Sequence, residues 1–119
     1  MRRLTTLAAT LSVAVALLVS VAAAQDAGTT REFAIVGGNY AFAPTTIEVN
    51  RNDLVKISFT AHEIPHSFTI DEYRIAKRAN ADQTVTFEFR ADRPGTFAYY
   101  CNLSQDARCR NMKGRLVVK

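Results

Sequence analysis

From Phe33 onward the chain repeats short runs of alternating hydrophobic and polar residues, separated by turn-forming clusters. Thr84–Arg90 is the cleanest run. Val85, Phe87 and Phe89 fall on one face, and Thr84, Thr86, Glu88 and Arg90 on the other, the period of two of a half-buried strand. Thr46–Val49 and residues 54–60 alternate in the same way, with Asn50-Arg51-Asn52-Asp53 as the turn between them. Residues 33–36 predict a first strand, ended by Gly37-Gly38-Asn39. His66–Ile70, residues 96–101 and residues 114–119 predict further strands, and Arg93-Pro94-Gly95 turns the chain before the second of these. Residues 71–82 are polar and irregular, with a helical turn expected in residues 72–78, and residues 102–112 are expected to form a loop. About seven short strands with no long amphipathic helix predict an all-β sandwich.

One stretch breaks this pattern. No charge occurs from Leu4 to Ala24, Arg2 and Arg3 precede the run, and Ala22-Ala23-Ala24 closes it before Gln25. A basic start, an apolar middle and small residues at the end predict an export signal over residues 1–24. An uncleaved N-terminal anchor is the other reading. Cleavage leaves one domain, residues 25–119, whose polar start at residues 25–30 reads as a flexible terminus. Export places the domain in the periplasm or outside the cell. At 119 residues, the chain has no room for separate cofactor and substrate domains. No second apolar run approaches the roughly 20 residues needed to cross a bilayer, so no stable span is expected after cleavage. The balance of 15 basic to 11 acidic residues is only mildly positive and gives no expectation of nucleic acid.

Beyond the predicted signal, the residues able to bind a soft metal fall in two short segments. His62 and His66 flank Glu63-Ile64-Pro65, while Cys101, Cys109 and Met112 bracket the loop before the last strand. Thiolate and thioether sulfur combined with imidazole suits copper, whereas magnesium and calcium prefer hard oxygen ligands. A loop joining two neighbouring strands presents several side chains at one end of a sandwich, and His66, opening its own strand, can meet them there.

The sequence here resembles the cupredoxins, copper-binding Greek-key β-sandwiches. The matching residues are Tyr40-Ala41-Phe42-Ala43-Pro44 with Ile47-Glu48-Val49, then Pro65-His66-Ser67-Phe68, Gly95-Thr96-Phe97-Ala98-Tyr99-Tyr100-Cys101, and Met112-Lys113-Gly114-Arg115-Leu116-Val117-Val118. The resemblance spans the whole of residues 25–119. It implies that His66, Cys101 and Met112 are copper ligands. A second histidine expected between the cysteine and the methionine is missing. The loop spacing resembles the binuclear CuA centre of oxidase subunit II. Gln105 stands where that pattern has its bridging cysteine, and Cys109 where it has a histidine.

The expected ligand set is therefore His66, Cys101, Cys109 and Met112 around one copper ion. His62 is a candidate replacement imidazole, and Gln105 a candidate axial oxygen. The two cysteines also admit a disulfide, because exported proteins are commonly oxidised. Arg108, Arg110, Lys113 and Arg115 surround Cys109 and Met112. They read either as a solvated rim or as a surface that lowers the cysteine pKa and steers an acidic partner. The implied function is one-electron transfer by a monomer that meets a redox partner. The same ligands would serve a copper chaperone that meets a copper donor or acceptor. A metal-free module stapled by Cys101–Cys109 is the third reading. No nucleophile triad, phosphate loop or zinc motif indicates an enzyme.

Overall fold

The structure is a computed structural model and describes residues 5, 12–16, 28–103 and 105–119. The predicted signal falls largely outside these residues. Among the described residues, no helix is long and apolar enough to cross a membrane.

The described residues form nine strands: β1 (Thr30–Gly38), β2 (Ala41–Ala43), β3 (Thr46–Val49), β4 (Leu54–Ala61), β5 (His66–Ile70), β6 (Ile75–Ala79), β7 (Thr84–Arg90), β8 (Gly95–Tyr100) and β9 (Lys113–Val118). A 3₁₀ turn at Asp71–Tyr73 and a four-residue helix, α1 (Ala107–Arg110), complete the fold. One sheet has the order β2-β1-β4-β7, the other β3-β9-β8-β5-β6. The parallel pairs β1 with β4 and β3 with β9 arise because the chain changes sheets between β2 and β3. This is the expected all-β sandwich.

Two strands exceed the sequence expectation. β2 is only three residues long and shows no periodicity. The helical turn expected in residues 72–78 is instead the 3₁₀ turn followed by β6. This edge strand buries Ile75 and Ala79 while its three middle residues face solvent, so its sequence does not alternate. Thr29, just ahead of β1, is also tied down, its N–H donating to Asp53 Oδ1 at 2.8 Å. Asp53 Oδ2 accepts from the Asn50 N–H at 2.8 Å, so this buried carboxylate staples the 50–53 turn to the first strand.

Aromatic side chains from both sheets meet in the core. Phe59 of β4 lies 5.9 Å from Phe68 of β5, and Phe68 stacks on Tyr99 of β8 at 4.8 Å. All three are fully buried. Burying each such side chain favours folding by about 1.5–3 kcal/mol, and favourable ring pairs add about 0.5–1.5 kcal/mol. This packing ties β4 of one sheet to β5 and β8 of the other.

Candidate metal centre

β5 pairs antiparallel with β8, and β8 antiparallel with β9. The start of β5, the end of β8 and the start of β9 therefore share one end of the sheet. His66 opens β5, Cys101 follows β8 and Met112 precedes β9. Strand direction alone gathers residues that are 46 positions apart in sequence.

His66 is fully buried, and neither Nδ1 nor Nε2 has a hydrogen-bond partner. A buried polar atom without a partner is costly and calls for an explanation. Burial pushes the imidazole pKa below its ordinary value, and the Asp106 carboxylate pulls it partway back. The neutral ring keeps one unprotonated nitrogen with no competing donor, the state a metal ligand requires.

Cys101 is fully buried, and its Sγ accepts the Ser67 N–H at 3.4 Å. Ser67 Oγ donates to Asn102 Oδ1 at 2.6 Å and accepts from the Asn102 N–H at 2.7 Å. These bonds lock the residue after His66 against the residue after Cys101. Cys101 is joined to Cys109 in a disulfide. Of the two cysteine states left open by the sequence, the structure therefore contains the oxidised one. Among the described residues, no group of three or more His, Cys, Asp or Glu side chains is arranged to hold a metal ion.

Cys109 lies in α1. The helix starts because Asp106 caps it, with Asp106 Oδ1 accepting the Arg108 N–H at 3.0 Å. The Met112 N–H donates to Cys109 O at 3.0 Å as the chain leaves the helix, and Met112 is buried. A cavity of about 170 Å³ opens between this loop and β5, lined by Tyr40, Pro65, His66, Gln105 and Cys109 among others.

His62 lies elsewhere. Its side chain is exposed, with Nδ1 3.7 Å from Asp82 Oδ1 and Nε2 3.8 Å from Glu63 Oε1, and it does not line the His66 cavity. Arg108 is exposed, as a rim residue would be, but it is also engaged. Its guanidinium lies 4.2 Å from the centre of the Tyr40 ring and its Nε 3.3 Å from Asp106 Oδ1. Arg110, Lys113 and Arg115 are exposed. Tyr40 and Asp106 are the site residues that sequence reasoning did not single out. The only sequence signal for Asp106 was a capping residue ahead of Ala-Arg-Cys-Arg. Tyr40 had none beyond its place in Tyr-Ala-Phe-Ala-Pro.

The donor set fits copper in one respect and is closed in another. His66 and Met112 are buried side chains with donor atoms, and a metal bond to the unpartnered imidazole would satisfy one of its nitrogens. The two sulfurs of a disulfide are not thiolates, so strong copper ligation requires their reduction.

The chain has structural neighbours among copper proteins. Auracyanin A, a "blue" copper protein from the green thermophilic photosynthetic bacterium Chloroflexus aurantiacus, superposes with a TM-score of 0.65 at 20% identity, over 76% of this chain and 99% of that one. The periplasmic domain of cytochrome oxidase subunit II (CoxB) of Bradyrhizobium japonicum gives 0.65 at 13% identity, over 74% and 83%. A chain of a heme-copper terminal oxidase dimer gives 0.65 at 16% identity over 75% of this chain, which spans only 65% of that one. At these identities the likeness is one of fold. The family described as Cupredoxin-like domain matches residues 9–118, nearly the whole sequence. The chain belongs to the cupredoxin-like domain family.

Proposed function

We propose that this protein is an exported, monomeric copper protein that transfers single electrons in the periplasm or outside the cell. In this reading the Cys101–Cys109 disulfide is reduced, and His66, Cys101, Cys109 and Met112 then hold one copper ion. The observation that carries the reading is His66: fully buried, with both ring nitrogens unpartnered, and opening with Cys109 into one cavity.

Bound copper supplies a one-electron couple. The chain's own residues do the rest. The β5, β8 and β9 ends hold the donors in place, so little rearrangement accompanies a change of charge. The Ser67 N–H directed at Cys101 Sγ stabilises negative charge on that sulfur and fixes its position. Burial keeps His66 neutral. Two thiolates add more negative charge than one, which favours the oxidised metal. Arg110, Lys113 and Arg115 give the surrounding surface a positive field that would steer an acidic redox partner, with an on-rate that falls as salt rises.

The disulfide itself supports a second reading, a metal-free module stapled at Cys101–Cys109. Copper reconstitution separates the two. The protein without residues 1–24 is reduced anaerobically, freed of reductant and given copper. Metal analysis and an optical spectrum should then give one copper per chain and an intense thiolate-to-copper band. Cys101→Ser should abolish the band, Cys109→Ser should change or abolish it, and His62→Ala should leave it intact. If the reduced chain takes up no copper, the stapled module stands. Uptake of copper(I) alone, with no band under oxidising conditions, would instead make the protein a copper carrier.

A further inference from the structure

A tyrosine fastens the loop that carries Cys109 across the cavity. Tyr40 sits in the turn between β1 and β2 with φ 56°, next to Asn39 at φ 50°. Two consecutive left-handed residues suit this kind of hairpin turn, but glycine or asparagine normally fills such positions. A bulky side chain there is an outlier, and backbone strain of this sort concentrates at functional sites. From this turn the Tyr40 ring meets His66 edge-on, with centroids 5.9 Å apart and planes at 90°. Its hydroxyl donates to Asp106 Oδ2 at 2.8 Å, and the Arg108 guanidinium covers its ring. The other Asp106 oxygen caps the helix that contains Cys109. One side chain therefore touches the imidazole and both fastening points of the loop, on the rim of the cavity that His66 and Cys109 share.

We propose that Tyr40 is a latch over this cavity. The Tyr40–Asp106 bond must open before a solute reaches Cys109 and His66, so Tyr40 sets the rate at which the disulfide is reduced and, in the copper form, the rate at which copper leaves. Tyr40 acts here as a positioning residue, holding the loop rather than the metal. The copper half of this proposal rests on the function proposed above, whereas the disulfide half does not.

The first measurement uses the oxidised protein. A small dithiol gives up two electrons and two protons and forms its own disulfide. The Cys101–Cys109 bond breaks to give two thiols. Tyr40→Phe keeps the ring and removes only the hydroxyl, and it should speed this reduction roughly tenfold, the population change expected from loss of one charge-assisted hydrogen bond. Asp106→Ala should speed it at least as much. Asp106→Asn retains an acceptor oxygen and a cap, and should stay within about threefold of the parent rate. A merely structural role would lower the urea midpoint and speed amide exchange in β8 by the same factor. The latch requires a faster reaction at the disulfide with β8 exchange unchanged. The second measurement follows copper(I) release from the reconstituted protein to a chromogenic chelator, and Tyr40→Phe should again be roughly tenfold faster. Reduction of Tyr40→Phe at the parent rate, or an acceleration matched by β8 exchange, overturns the latch. Faster reduction in a protein that takes up no copper upholds the latch and defeats the copper reading.

Discussion

Gly114 is the second residue of β9, directly opposite Tyr99 in the register of β8 and β9. A methyl group built on Gly114 falls within the Tyr99 ring and comes to 2.6 Å from its hydroxyl oxygen. The ring has nowhere to retreat. It is fully buried, stacks on Phe68 at 4.8 Å, meets Phe42 edge-on at 5.2 Å and donates its hydroxyl to Pro44 O at 2.7 Å. Burial also pushes the phenol pKa up to about 12, so the neutral donor persists throughout the working range of pH. Gly114→Ala must displace this ring or part the two strands. Overpacking a tight core costs about 1–3 kcal/mol, and a broken hydrogen bond adds about 0.5–1.5 kcal/mol. The expected loss is therefore about 2–4 kcal/mol, a large fraction of the 5–15 kcal/mol that is usual for a domain. Urea unfolding of the disulfide-intact protein should register it as a lower midpoint at unchanged slope. Tm should fall by roughly 10–25 °C. Tyr99→Leu provides the control, since Gly114→Ala in that background should cost less than about 1 kcal/mol. A single-variant cost below about 0.5 kcal/mol, or an equal cost in both backgrounds, would refute the argument that the glycine exists to admit the tyrosine.

Two further predictions concern pH. The Thr29 and Asn50 N–H donors hold the Asp53 carboxyl below its ordinary value of 3.8, with Arg31 adding to the effect. A lowered folded pKa means stability that is present above the ordinary value and lost as pH falls through the folded one. Asp53→Asn should therefore lower the urea midpoint near neutrality, and its curve should converge with the parent curve in strong acid; parallel curves would contradict the staple. His66 acts over a different range. Below its ordinary value of 6.5, the unfolded chain takes up a proton that the buried ring resists. The metal-free protein should lose stability as pH falls through that value, until the folded ring is protonated as well. His66→Leu should flatten this limb of the urea midpoint against pH, and a limb of undiminished slope would show that another group is responsible.

Much of this fold was legible in the alternation of the chain. β3, β5 and β7 stand at their expected bounds, and β4, β8 and β9 within one residue of them. Where a strand buries one face, the period of two is written into its residues. β6 was misread because an edge strand with three consecutive exposed residues carries no such period. β2 was missed because three residues are too few to show one. Chemistry followed the same division. His66, Cys101, Cys109 and Met112 stood out as side-chain types with soft or imidazole donors, and their flanking strands implied a common end of the sandwich.

Residue types and local periodicity thus determined the all-β class, the family resemblance and the candidate donors. Each of these is a property of neighbours along the chain. The tertiary structure decided what depends on distance between separate segments. It separated His62 from His66 although they lie four residues apart, because β5 begins at His66 while His62, just past the end of β4, is left among Glu63 and Asp82. It joined the two sulfurs, since α1 turns Cys109 back toward the end of β8. It also brought Tyr40 to Asp106, 66 residues away, through a hydrogen bond whose two ends carry no mark of each other in the sequence. Such contacts are set by the order of strands in two packed sheets, and that order is the outcome of burying both apolar faces at once.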